Sequence, residues 1–253
     1  MFGLPDGVTG CLFDMYGVVT QTAKVHAAAW KEMFDDFLRE HAKSTGSEFV
    51  PFDLHHEYDA YVDGKPRLDG TRSFLESRGI ELPEGSPDDP PGKATINGLG
   101  NKKNELVLAK LATDGVQVYD DTIAYIHAVR DKGIATAIVS SSANTQQVLD
   151  SAGIAGLFDV RVDGQVAKER GLRGKPAPDT FLAAAEELHV PASQAAVFED
   201  ALAGVEAGRA GHFAFVVGVD RVGQAAALKQ HGADIAVQDV AELLKGNGNK
   251  DAR

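Results

Sequence analysis

The chain has 253 residues, 43% of them hydrophobic, and sets 25 Lys and Arg against 37 Asp and Glu for a net charge of −12. That content fits one substantial core plus a smaller inserted domain and excludes disordered and fibrous classes. The acidic balance disfavours nucleic acid as a partner, the single Cys11 excludes an internal disulfide framework, and no stretch reaches the ~18 apolar residues of a membrane span. With no leader-like segment and one cysteine, a cytoplasmic protein that does not engage membranes is expected.

In chain order, Cys11-Leu12-Phe13 predicts a first strand that delivers Asp14 to its C-terminal tip, followed by Met15-Tyr16-Gly17-Val18-Val19-Thr20. Strand tips of open parallel α/β sheets are where ligands bind, so Asp14 is a candidate for chemistry. Between Thr22 and Gly115 the pattern is mostly helical, with Val25, Trp30, Met33, Phe34, Phe37 and Leu38 on one apolar stripe. Within this block Pro83 to Gly92 predicts an exposed loop. Asn101-Lys102-Lys103-Asn104 is a basic spot that could contact a substrate, although a lysine pair is more often a solvated helix face, and His55-His56 lacks a partner at metal-ligand spacing.

From Val116 onward strands and helices alternate: helix Thr122–Lys132, strand Ile134–Val139, helices Thr145–Ser151 and Thr180–Leu188, strand Ala195–Phe198, helix Ala201–Ala210, strand Phe213–Val219, helix Gly223–His231 and strand Ile235–Val237. The alternation predicts an α/β fold, a doubly wound parallel sheet. Its boundaries predict a Rossmann-like core of residues 1–21 and 116–253 with an inserted helical domain of residues 22–115. Lys245 to Arg253 predicts a polar, frayed tail.

Three later segments share the shape of the first. Ser140-Ser141-Ser142-Ala143-Asn144 follows an apolar strand and offers backbone N–H groups and a hydroxyl to an anion. Gly174-Lys175-Pro176-Ala177-Pro178-Asp179 sets one lysine ahead of two prolines that restrict the backbone. Ala195 to Phe198 ends in Glu199-Asp200. A nucleophilic carboxylate, an anion-binding turn, a lysine and a second acidic pair form the inventory of Mg²⁺-assisted phosphoryl transfer through an aspartyl phosphate.

These four segments resemble the four motifs of the haloacid dehalogenase superfamily. Within it the chain is similar to the β-phosphoglucomutase-like branch, through Lys175 to Asp179 and through His26-Ala27-Ala28-Ala29-Trp30. The resemblance spans Gly10 to Leu244 and is looser between residues 40 and 116. It implies Asp14 as nucleophile, Ser140 and Lys175 as phosphate contacts, and Ser141 and Asn144 beside them in the substrate set. It further implies Mg²⁺ held by Asp14 and Asp200 with Glu199 assisting and Tyr16 giving its backbone carbonyl. A small phosphorylated sugar is the implied substrate, met by His26, Trp30 and the Arg67 of Gly64-Lys65-Pro66-Arg67 on a cap that closes about hinges near Thr20–Thr22 and Gly115–Tyr119.

One position departs from the pattern. Members of this branch carry a second Asp two residues after the nucleophile as general acid/base, a role contributing ~10²–10⁴-fold in rate, and here that residue is Tyr16. A phenol, with an ordinary pKa near ~10, is a poor base at neutral pH. Asp-x-Tyr-Gly also resembles the first motif of the 2-haloacid dehalogenases, which attack carbon without a metal, whereas Phe198-Glu199-Asp200 and Lys175-Pro176-Ala177-Pro178 favour the magnesium phosphotransferases. The remaining alternative is a catalytically silent protein that binds a sugar phosphate. Which sugar, mutase or phosphatase, and the oligomeric state are open at this level.

Overall fold

A computed structural model describes residues 2–245 and divides the chain into two compact units, Met1–Gln21 with Val116–Arg253, and Thr22–Gly115. Strand β1 (Gly10–Phe13) opens the first unit. The second unit then contributes helices α1 (Ala23–Thr45), α2 (Arg67–Ser77) and α3 (Ile96–Asp114). The first unit resumes with α4 (Asp120–Arg130), β2 (Ala135–Val139), α5 (Thr145–Ser151), β3 (Val160–Val162), α6 (Gly164–Arg170), α7 (Asp179–Glu187), β4 (Ala195–Glu199), α8 (Leu202–Ala210), β5 (Phe215–Val219), α9 (Ala225–Gln230) and β6 (Ile235–Val237).

The six strands form one sheet in the order β3-β2-β1-β4-β5-β6, every pair parallel. This is the Rossmann-like, doubly wound arrangement, and its strand order reverses at β1, where such sheets open a crevice for ligands. Both faces are covered, which explains why the central strands read as unbroken apolar runs. Leu12, Ala137, Val139 and Val197 pack with Phe181 of α7 on one face. On the other, Phe13 stacks on Phe198 with ring centroids 4.5 Å apart, and both rings meet Tyr125 of α4. Cys11 is a buried thiol in this central strand.

Two elements escaped the sequence reading. β3 has only three residues with Arg161 in the middle, and α6 begins at a glycine behind an Asp163 cap. Elsewhere the elements stand within about two residues of expectation, β5 beginning at Phe215 and α9 at Ala225, the scatter that fraying ends bring. The anticipated tail beyond Lys245 lies outside the described residues.

In the second unit α1 carries Trp30, Met33, Phe34 and Leu38 into a cluster with Phe52, Phe74, Leu75 and Leu99, each such side chain stabilising by ~1.5–3 kcal/mol on burial. Helix α1 ends at Gly46, whose left-handed φ of 70° lets its N–H reach Ala42 O. The Pro83–Gly92 loop is exposed except for Asp89, whose carboxylate is buried and accepts from Lys93 Nζ and Thr95 Oγ1 at 2.7 Å each. Thr95 in turn caps α3, its hydroxyl accepting from Gly98 N.

The first unit binds together the two chain ends that flank the insertion. Thr20 and Val118 form an antiparallel bridge, Gln21 N donates to Gln117 O at 2.8 Å, and Tyr119 N donates to Val19 O at 2.9 Å.

Candidate active site

Register places the candidate residues of the core. Phe13 stands level with Ile138 on β2 and with Phe198 on β4, so Asp14, Ser140, Glu199 and Asp200 all leave the sheet at the carboxyl ends of three adjacent strands. Asp14 N donates to Phe198 O at 2.9 Å, and the turn behind it closes with Val19 N and Thr20 N on Met15 O. Gly17 sits in this turn at φ 84°, and a Cβ there would run into the Asp200 carboxylate. Only glycine serves this position, on both counts.

Lys175 is 3% exposed, and its Nζ lies 2.5 Å from Asp14 Oδ1 and 2.5 Å from Glu199 Oε1. Burial opposes its charge, yet the two carboxylates outweigh that cost and hold the ammonium protonated above the usual lysine range. Glu199 Oε2 also accepts from Ala201 N at 2.9 Å. Asp14, Glu199 and Asp200 present carboxylate oxygens all within 4.8 Å of one another. Three oxygen donors so close suit a hard divalent cation, and the space kept by Gly17 fits the same set.

Support for this cluster comes from a segment the sequence reading passed over. Asp220 accepts from the N–H groups of Val222, Gly223 and Gln224 through Oδ1 and of Ala225 through Oδ2. Burial disfavours that charge and the backbone donors overcome it, leaving the carboxyl below its usual range. The turn so fixed lets Gln224 Nε2 donate to Asp200 O at 2.9 Å. Arg221 stacks 3.9 Å above the Tyr119 ring and donates to Asp121 and to Gln238 O. An Asp-Arg-Val-Gly turn carries no catalytic signature, so only the fold identifies these partners.

The serine turn is organised by itself. Ser140 N donates to Val162 O, its hydroxyl accepts from Ser142 N at 3.2 Å, and Ser142 Oγ accepts from Asn144 N at 3.1 Å. Ser140 is buried while Ser141 and Asn144 are partly open. The Tyr16 hydroxyl oxygen is buried and lies near the Ser142 side chain. Desolvation drives its proton affinity up, the Ser142 contact works the other way, and the charges of Asp14 and Asp163 add to the rise. The phenol therefore stays protonated through the neutral range. Asp163 is itself committed, accepting from Gln165 N and Val166 N at 3.0 Å and pairing with Arg161.

Within the second unit His26 and Trp30 meet a residue expected to be solvated. Lys103 is 6% exposed, with Nζ 2.7 Å from His26 Nδ1 and 4.9 Å from the Trp30 ring centroid. Its neighbour Lys102 keeps to the outer face and pairs with Glu105, so of the two readings of this lysine pair the solvated face holds for Lys102 and not for Lys103. Burial and the adjacent Arg67 charge pull the Lys103 ammonium down to about 7, against an opposing pull from Asp63. Burial, with Lys103 adding, keeps His26 neutral, able to accept at Nδ1. Burial likewise lowers Arg67, whose Nε has no hydrogen-bond partner among the described residues. Because Trp30 is the sole tryptophan, its emission is expected to titrate with a midpoint near pH 7 and to lose that transition in Lys103→Met. A flat profile from pH 5 to pH 9 would refute this protonation.

Comparison with known proteins agrees with the geometry. The sequence profile of haloacid dehalogenase-like hydrolases matches residues 8–212. A β-phosphoglucomutase of Mycobacterium bovis is 55% identical over 247 residues, covering 96% of this chain and 94% of that protein. A fructose-1-phosphate phosphatase of Escherichia coli is 28% identical over 205 residues, covering 79% of this chain and 91% of its own length. Among solved structures, a β-phosphoglucomutase from Clostridium difficile superposes with a TM-score of 0.72 at 23% identity, covering 93% of each chain. With its fold, its acidic strand tips and its sequence in agreement, the chain belongs to the haloacid dehalogenase-like hydrolase family.

Proposed function

We propose that the protein is a Mg²⁺-dependent phosphotransferase of the β-phosphoglucomutase type, acting on a small sugar phosphate through an aspartyl phosphate on Asp14. The observation that carries this reading is the convergence of Asp14, Lys175, Glu199 and Asp200 at neighbouring strand tips in a chain 55% identical to a β-phosphoglucomutase. Magnesium held by Asp14 and Asp200, with Glu199 in support and the Tyr16 carbonyl as a further oxygen, would neutralise charge on the phosphoryl oxygens.

The protein's own groups do the rest. Asp14 attacks phosphorus. Lys175 offsets charge on the phosphoryl group, and the Ser140 turn contributes donors toward it. By its resemblance to the family the inserted unit would serve as the cap, with Arg67, His26 and Trp30 as its candidate contacts to the sugar phosphate. Arg67 suits a phosphate oxygen pair because guanidinium binds such groups in a bidentate manner. The carbon–halogen alternative has Tyr16 in its favour, but it makes no use of three clustered carboxylates.

The test is phosphate release and isomer conversion on glucose 1-phosphate, glucose 6-phosphate and fructose 1-phosphate, with Mg²⁺ or with chelator. Slow, metal-dependent turnover is expected, rising ~10²-fold or more in Tyr16→Asp. Activity indifferent to chelator, or release of halide from a 2-haloacid, would remove the reading.

A further inference from the structure

Resting on that reading, we propose that the turn after β5, Asp220 to Gln224, is a positioning element that sets the cation site's preference for Mg²⁺ over the larger Ca²⁺, by fixing how closely the two loops stand that carry the metal's oxygens. It acts through the main chain of those loops. Mg²⁺ takes oxygens at about 2.0–2.1 Å in a strict octahedron, whereas Ca²⁺ accepts about 2.3–2.6 Å in a forgiving arrangement. Discrimination between the two ions therefore depends on how rigidly the oxygen-bearing segments are spaced.

One turn grips both loops. The loop after β4 is held at the Asp200 carbonyl, which accepts from Gln224 Nε2 at 2.9 Å. The loop after the nucleophile is held at the Gly17 carbonyl, which accepts from Arg221 Nε at 3.4 Å. Gly17 is also where the two loops meet, since a Cβ there would overlap the Asp200 carboxylate. The turn thus spans the same approach that brings the Asp14 and Asp200 oxygens together.

A gauge of this kind must itself be rigid, and polar bonds make it so. Asp220 N donates to Val237 O at 2.7 Å, and the Asp220 carboxylate accepts from four successive N–H groups, Val222 to Ala225, around Gly223 at φ 90°. The Arg221 guanidinium is fixed by Gln238 O at 2.7 Å, Asp121 Oδ2 at 2.9 Å and Thr122 Oγ1 at 3.2 Å, with the Tyr119 ring beneath it. Thr122 Oγ1 in turn donates to Val18 O at 2.7 Å, a second tie to the loop after the nucleophile. Val222, inside the turn, is 74% exposed, so apolar packing is not what holds this segment.

The experiment titrates the full chain calorimetrically with MgCl₂ and, separately, with CaCl₂, in the absence of any sugar phosphate, and Asp200→Asn identifies the heat that belongs to this site. Gln224→Met keeps the side-chain length and removes the donor. Its Mg²⁺ affinity is expected to fall ~10-fold or more, the scale for groups that orient metal ligands, while its Ca²⁺ affinity falls about threefold or less because the larger ion tolerates a looser spacing. Urea unfolding in chelator should match the parent protein, and Val222→Ala should bind both ions as the parent does. Asp220→Asn, which weakens the base of the turn, should repeat the shift; should it fail to fold, Gln224→Met decides alone. An unchanged Mg²⁺ affinity in Gln224→Met, or equal losses for the two ions, would overturn the proposal and leave the phosphotransferase reading standing. Lost stability with an unchanged preference between the ions would make the turn merely structural and overturn it equally. If the parent binds no Mg²⁺, or binds it as well in Asp200→Asn, the metal leaves these strand tips and the reading falls with the proposal.

Discussion

Asp14→Asn is expected to lower phosphoryl transfer from any donor by ~10⁴-fold or more, the scale seen when a covalent nucleophile is removed. Asparagine keeps the size and the backbone bond from residue 14 to Phe198 O but supplies no anionic oxygen to attack phosphorus. Lys175 keeps Glu199 as a partner, so the fold should survive, with urea unfolding still cooperative. The decisive measurement is phosphoryl incorporation from acetyl phosphate, which reports the first chemical step without relying on turnover. Incorporation within tenfold of the parent protein would place the nucleophile elsewhere.

Lys175→Met is expected to cost about 3–5 kcal/mol of folding free energy, the range for breaking a buried ion pair from one side, and to abolish transfer as well. The reason is the company it keeps. Asp14 and Glu199 both hold the ammonium at 2.5 Å, and methionine of similar length leaves two buried carboxylates facing each other. Urea unfolding at pH 7 measures the loss. The double variant Lys175→Met with Glu199→Gln should recover part of it, because one uncompensated charge is gone, and the coupling between the two sites is the quantity to extract. A loss under 1 kcal/mol would mean that the carboxylates find other compensation.

Much of this architecture was legible in the order of residues because a parallel sheet covered on both faces demands unbroken apolar runs, and Cys11 to Phe13, Ala135 to Val139 and Ala195 to Phe198 provide them. The polar residue ending each run marks a strand tip, which is how Asp14, Ser140, Glu199 and Asp200 were picked out. Val160 to Val162 was not legible: three residues interrupted by Arg161 make no pattern of period two. Lys103 was invisible for another reason. Its burial depends on His26, 77 positions away, and a lysine pair on a helix looks the same whether one member faces water or the interior. The roles of Asp220, Arg221 and Gln224 rest on a turn that converges on Asp200 only in three dimensions. Tyr16 stands out in the sequence as a departure from the family pattern, but its nearness to Ser142 follows only from the tips of β1 and β2 standing side by side.

The tie between the chain segments at Thr20–Val118 and Gln21–Gln117 bears on ancestry. Main-chain hydrogen bonds beside the sheet hold the departing and returning segments together, so whatever lies between them hangs from a closed socket. Lengthening such a loop adds only ~0.6 kcal/mol of closure entropy per doubling. Residues 22–115 are thus a replaceable attachment: lineages could exchange, enlarge or shed the insertion, and with it the substrate, while the chemistry at the strand tips passed down untouched.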